Sequence, residues 1–246
     1  MALRPLFVVA GIGNASGTGS AAARAFAKAG YSVALIARNQ SSLDACAQEI
    51  NSRGGEAAPF CMPSYSSENF SDTFRLIESH FPASKYAFRA ALFNIGYAVW
   101  KPFLETTPQE VEDSLNTNVA AAFAFSRETI LKFKNNPLDE QQPTRGTLIF
   151  TGATASTRGS TTTSAFSASK SGLRSLSQSL AKEFGKDDIH VAHTIIDGLI
   201  QTGTAPQNET LKLDPASIAE AHLYLTRQAK SAWTWELDLR PASEKW

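Results

Sequence analysis

Cysteine is scarce in this chain: Cys46 and Cys61 are the only two in 246 residues. Two thiols cannot build a disulfide framework, and their spacing matches no metal motif. Reduced thiols in a cytoplasmic protein are the expectation. Net charge is missing as well, with 23 Lys+Arg against 23 Asp+Glu. A nucleic-acid partner needs a basic face, so none is expected, and a general attraction to anionic membranes is removed. Long apolar runs are absent too. The longest uncharged stretch, 5–23, has the length of a membrane span. It is interrupted by Gly11, Gly13, Gly17 and Gly19 with Asn14, Ser16, Thr18 and Ser20. The apolar core at 6–10 is too short for a secretory signal, and no cleavage pattern follows it. Histidine is rare. His190 and His193 stand three apart in one expected strand and so face opposite ways, while His80 and His222 are scattered. No metal site is expected.

What is present is an ordinary globular composition, 43% apolar and 19% charged. The length suits one α/β domain over 1–246. Short β-type runs alternate with helical runs. Strands are expected at 6–10, 32–37, 57–60, 90–94, 147–151, 190–196 and 233–239. Helices are expected at 20–29, 41–53, 69–81, 164–184 and 215–226, with a long one running from Pro108 through 120–125 to about 133. The polar stretch 135–145 holds Pro137 and Pro143 and reads as a surface loop. Repeated β-α units of this length imply a doubly wound parallel sheet with helices on both faces. Ligands of such sheets bind outside the carboxyl ends of the strands.

A GxxxGxG turn, Gly13 to Gly19, follows the first strand and opens an Ala-rich helix. Lacking Cβ atoms, such a turn lets a pyrophosphate approach the backbone, and the helix N-terminus offers free N–H groups. In the first β-α unit this favours nucleotide binding over a plain tight turn. The second strand ends in Ala37-Arg38-Asn39. NAD-binding sites usually carry a carboxylate there for the ribose hydroxyls. Here none is present to repel a 2′-phosphate, and Arg38 can grip one, so NADP(H) is expected.

These motifs in order resemble the short-chain dehydrogenase/reductase family along nearly the whole chain. Gly13, Gly17 and Gly19 match its glycine turn, and Phe93-Asn94-Ile95-Gly96 resembles its Asn-Asn-Ala-Gly segment. Asn118 matches its helix asparagine, and Ser167-Ala168-Ser169-Lys170 the residues ending in its catalytic lysine. Asp197-Gly198-Leu199-Ile200-Gln201-Thr202 resembles the segment whose Ile and Thr positions meet the nicotinamide amide. The resemblance implies a Rossmann-type sheet of seven parallel strands ordered 3-2-1-4-5-6-7. It also implies a cofactor site of Gly13, Ser16, Gly17, Thr18, Gly19, Arg38, Asn94, Gly96, Lys170, Ile200 and Thr202. Pairing through the helices that hold Asn118 and Lys170 is implied as well, giving a homodimer or homotetramer.

The departures bear on the chemistry. The family's acidic tyrosine, four residues before the lysine, is here Phe166, and its serine is here Ala153. Ser64 stands where an adenine-contacting Asp is common, Asp197 replaces a proline, and Asp238-Leu239-Arg240-Pro241 replaces a Gly-rich end. Asn118 and Lys170 remain as the catalytic remnant, with Phe166 and Ala153 shaping the pocket. A lone helix lysine is usually solvated, yet the family position favours a ribose contact for Lys170. Asn118 serves equally well as a structural asparagine at a helix bend. Losing a positioned acid costs about 10²–10⁴ in rate, and losing an oxyanion donor about 10²–10³. Thr154, Ser156, Ser164 and Tyr97 are the hydroxyls nearest in sequence to the relevant strand ends. Trp233, Trp235 and Trp246 with Phe103 and Trp100 either line a substrate pocket or pack in a core. The leading expectation is an NADP(H)-dependent oxidoreductase acting on a small organic carbonyl, imine or activated alkene. A catalytically silent NADP(H)-binding regulator is the second reading, and a non-redox catalyst such as a cyclase the third.

Overall fold

In the computed structural model, which describes residues 3–138, 143–203 and 212–243, the apolar run at 6–10 is wholly buried inside strand β1 (Arg4–Ala10). Strand β2 (Ser32–Ala37) is buried at every position, as a strand covered on both faces must be. Five more strands complete the sheet: β3 (Glu56–Cys61), β4 (Tyr86–Phe93), β5 (Gly146–Thr151), β6 (Ile189–Ile196) and β7 (Glu236–Leu239). All pairs are parallel, and the order is β3-β2-β1-β4-β5-β6-β7. The expected architecture and strand order are those observed.

Among the described residues seven α-helices surround the sheet: α1 (Thr18–Lys28), α2 (Gln40–Ser52), α3 (Ser67–His80), α4 (Pro108–Leu115), α5 (Ala121–Phe133), α6 (Ser164–Phe184) and α7 (Pro215–Leu225). On one face Phe26, Leu43, Ile50 and Leu223 from α1, α2 and α7 meet Phe7, Val9 and Leu35. The Phe7 and Phe26 rings stack with centroids 3.7 Å apart. On the other face α3, α5 and α6 bring Phe70, Phe74, Phe125, Phe133 and Leu173 against Val8, Phe93 and Phe150. Strand order reverses between β1 and β4, which opens a crevice at their carboxyl ends.

Most elements differ from the expected ranges by one or two residues, and four differences have a physical reason. Helix α1 starts at Thr18, two residues before 20, because Gly17 already has the extended geometry of an N-cap. Strand β4 begins at Tyr86, not at 90. Its first half is masked in the sequence by Arg89, whose guanidinium reaches the Thr144 carbonyl at 2.9 Å. Strand β7 starts at Glu236, because Trp233 and Thr234 belong to a loop tied by Gln228 Nε2 to Thr234 Oγ1 at 2.7 Å. The long helix after Pro108 is interrupted by a π-helical turn, Asn116–Ala120, which links α4 to α5. Of the loop expected at 135–145, residues 139–142 lie outside the described residues.

Candidate functional site

The turn after β1 is built by steric fit. Gly11 has φ +108°, and a Cβ there would meet the Asn94 carbonyl carbon at 2.6 Å. A Cβ on Gly19 would stand 2.3 Å from the Gly11 carbonyl oxygen. Both glycines let α1 and β4 close on the end of β1. Gly17 caps α1 with no side-chain acceptor, and no acidic residue lies in the first helical turn. The N-terminal amides therefore keep their attraction for an anion. Among the described residues nothing partners the buried Thr18 Oγ1 there. An unpaired buried hydroxyl beside an uncapped helix start fits a pyrophosphate. The Gly203 N–H donates to Ser16 Oγ at 2.8 Å, which brings the 200–203 segment alongside this turn. Ile200 pairs in a bridge with Leu213, and Thr202 is exposed.

Asn94 is committed to the scaffold. Its Nδ2 donates to the Gly11 carbonyl at 2.9 Å, and its Oδ1 accepts from Thr151 Oγ1 at 2.9 Å. Its side chain thus ties the ends of β1, β4 and β5 together. At the end of β2, Arg38 is exposed, with its guanidinium carbon 4.8 Å from the Tyr65 ring centroid. Asn39 caps α2, accepting from the Ser42 N–H at 3.1 Å.

The remnant catalytic residues converge although they lie far apart in sequence. A Cβ placed on Gly96 would be 3.7 Å from both Asn118 Oδ1 and Lys170 Nζ. Asn118 is fully buried in the π turn and clamps Tyr97 by its backbone. The Tyr97 N–H donates to Oδ1 at 3.2 Å, and Nδ2 donates to the Tyr97 carbonyl at 2.8 Å. Nδ2 also lies 3.0 Å from the Ser114 carbonyl and 3.1 Å from Ser169 Oγ. Ser114 and Ser169, hydrogen-bonded to each other at 2.9 Å, join α4 to α6 behind the asparagine. Sequence reasoning missed Ser114, since a serine on a helix has no motif of its own, and named Ser169 only as part of the segment ending in Lys170.

Lys170 is only 5% exposed and donates to the Thr151 carbonyl at 3.0 Å. Burial pushes its ammonium down to about 8. Its Nζ lies 5.9 Å from the Phe166 ring centroid, and that ring lies 6.1 Å from Trp100. The face that would carry a phenol is therefore apolar. Ala153 is extended, and its carbonyl accepts from Ser156 Oγ at 2.6 Å. Thr154 donates to Asp197. Two of the candidate replacement hydroxyls are thus engaged elsewhere, while Ser164 is exposed at the first turn of α6.

Two departures from the family pattern prove to be one feature. Asp197 sits 3.3 Å from Arg240, and its N–H donates to the Leu239 carbonyl at 2.8 Å. An aspartate in place of proline is matched by an arginine in the altered C-terminal segment. The tryptophans scatter: Trp233 stacks on His190 at 4.9 Å, Trp235 lies against Arg174 at 5.2 Å, and Trp246 is outside the described residues. Of the tryptophans among the described residues, Trp100 meets Phe166. His193 faces Glu236 at 3.1 Å, and among the described residues no group of three His, Cys, Asp or Glu is arranged to hold a metal.

The model of the short chain dehydrogenase family matches residues 8–212. The chain belongs to this family. A 3-oxoacyl-[acyl-carrier-protein] reductase of Bos taurus is 29% identical over 205 residues, covering 83% of this chain and 80% of that protein. A crystal structure of a short-chain dehydrogenase from Rhodopseudomonas palustris superposes with a TM-score of 0.80 at 30% identity, covering 96% of this chain and 98% of that one. An archaeal alcohol dehydrogenase from Thermococcus sibiricus, solved with 5-hydroxy-NADP, shares the fold with a TM-score of 0.82 at 20% identity, over 99% of each chain. Members of this short-chain dehydrogenase family are oxidoreductases that use a nicotinamide cofactor on small molecules. Among the described residues no helix is long and apolar enough to cross a membrane.

Proposed function

We propose that this short-chain dehydrogenase binds NADP(H) and transfers hydride to an acceptor that needs no strong acid from the protein. Imines and activated alkenes head that class, ahead of simple ketones. The observation that carries the reading is Phe166 beside the buried Lys170, with the Asn118 clamp intact. The glycine turn and Thr18 would hold the pyrophosphate, and Arg38 the 2′-phosphate. Lys170 and the Ile200–Thr202 segment would hold the nicotinamide riboside. When bound, the cofactor supplies a hydride.

The chain's residues do the rest by placement. Phe166, Trp100 and Ala153 present a wall with no hydroxyl, which neither protonates nor grips a carbonyl oxygen. Lys170, whose ammonium burial pushes down to about 8, would hold the riboside and keep a proton at its Nζ beside the pocket. Asn118 fixes the Tyr97 backbone and so the floor around Gly96. A ketone therefore meets no positioned acid, while an iminium carries its positive charge already and needs none.

The reductase name of the bovine relative supports this direction of reaction. NADPH oxidation over a panel of ketones, quinones, imines and enones tests it. Turnover confined to imines or enones is expected, and equal turnover of unactivated ketones refutes the acid-free reading. One observation favours the second reading, a catalytically silent NADP(H) binder: Thr154 and Ser156 already have partners. NADPH binding with no turnover of any acceptor selects it.

We place the protein in the cytoplasm as a homodimer or homotetramer. Supporting the pairing, an apolar groove of about 860 Å³ lies between α5 and α6, lined by Leu115, Val119, Phe123, Ile130, Leu176 and Leu180. Phe123 is 58% exposed there. Such a face is normally covered.

A further inference from the structure

Tyr65 belongs to no motif, yet it is held more firmly than a loop residue needs to be. It lies between β3 and α3. On one side Asn69 Nδ2 donates to the Ser64 carbonyl at 3.2 Å and lies 2.8 Å from Ser64 Oγ. On the other, Ser66 caps α3 by accepting from the Asn69 N–H at 3.2 Å. The Tyr65 ring stacks on fully buried Phe70, centroids 6.2 Å apart and planes 20° apart. Its other neighbour is the Arg38 guanidinium, 4.8 Å from the ring centroid.

An exposed arginine samples many rotamers, and ordering it on binding costs affinity. Here an aromatic face restricts the pose and leaves the guanidinium charge whole. Burial pushes the phenol up, so it stays uncharged beside the arginine. The cation–π contact is thus available to hold Arg38 ready for an anion.

We propose that Tyr65 is a specificity-determining residue. Its ring preorganises Arg38 where β2 and β3 end, and so sets the preference for a ribose 2′-phosphate over a free 2′-hydroxyl. The inference rests on the NADP(H) reading above. Tyr65 acts through Arg38, so it is a positioning residue with no catalytic part.

The test measures dissociation constants of the full chain for 2′,5′-ADP, 5′-AMP, NADPH and NADH by calorimetry. In Tyr65→Leu, 2′,5′-ADP and NADPH should weaken about five- to tenfold while 5′-AMP and NADH change less than about twofold. Tyr65→Phe keeps the ring face and should stay within about threefold of wild type for all four ligands. Equal weakening of phosphorylated and unphosphorylated ligands in Tyr65→Leu would mean a merely structural role and overturns the inference, as does no weakening. A wild type with no preference for 2′,5′-ADP over 5′-AMP sinks the NADP(H) reading itself, and this inference with it. A second measurement needs no folded Leu variant. In wild-type protein, 2′,5′-ADP should shift the Tyr65 ring resonances, assigned with Tyr65→Phe, and 5′-AMP should not. Unmoved resonances with bound 2′,5′-ADP refute the proposal.

Discussion

Phenylalanine at 166 differs from tyrosine by one oxygen atom, and that atom would stand near a buried lysine. On the reading proposed above, the two missing hydroxyls are what separates this wall from that of a ketone reductase, so restoring them is the direct trial. In Phe166→Tyr with Ala153→Ser, ketone reduction by NADPH should rise at least about 100-fold. A folded double variant that binds NADPH and shows no rise would mean that the missing hydroxyls were never the limit. Lys170 allows a second trial. Its ammonium titrates near 8 when folded against 10.5 as the ordinary value. Below pH 8 both folded and unfolded chains carry the proton, and the full cost of burying the charge is in force. Between about 8 and 10.5 only the unfolded chain keeps it, so this group's contribution to stability rises with pH. Lys170→Met should therefore be at least as stable as wild type at pH 7. Its advantage should shrink by pH 10, measured by urea unfolding, while turnover is lost.

At the scale of elements, the β1–α1 turn separates folding from binding. Gly19→Ala drives a methyl into the Gly11 carbonyl at 2.3 Å. It should cost about 1–3 kcal/mol of stability, seen as a lower unfolding midpoint. Gly13 is different, for a Cβ there meets nothing within 4 Å. Gly13→Ala should keep the wild-type midpoint and weaken NADPH about tenfold, close to 1.4 kcal/mol, because the methyl fills space the turn leaves open to a ligand. Equal effects of the two variants on stability would contradict this division. The helix between Pro108 and Phe133 makes a related point. Its apolar periodicity is visible in the sequence, but the π turn at Asn116–Ala120 is not. One extra residue per turn turns Asn118 inward toward Tyr97, Ser114 and Ser169, and the partners that stabilise it lie on other segments.

For the whole molecule, the apolar groove between α5 and α6 is a face that folding of one chain leaves uncovered. Phe123→Glu puts a charge on it and should yield monomers by light scattering at concentrations where wild type is a dimer or tetramer. A wild type that is monomeric from the outset removes the pairing proposal. The sheet was the more legible part of this molecule. Runs such as 6–10 and 32–37 are apolar at every position, and a strand covered on both faces requires that. The glycine turn was legible because only a residue without Cβ fits Gly11 and Gly19, so the steric demand is written in the residue type. The Asn118, Phe166 and Lys170 positions were found through their spacing in an ordered set of motifs.

Local physics fixed what a neighbour in sequence can enforce: burial period, helix caps, the turn, and the loss of two hydroxyls. Folding decided which distant atoms meet. Asn94 is taken up by Gly11 and Thr151, Asp197 is matched by Arg240, and Tyr65 lies under Arg38. These pairings join segments 27 to 83 residues apart. A side chain's hydrogen-bond partner depends on how strands and helices stack in three dimensions, and no residue's own chemistry encodes that alone.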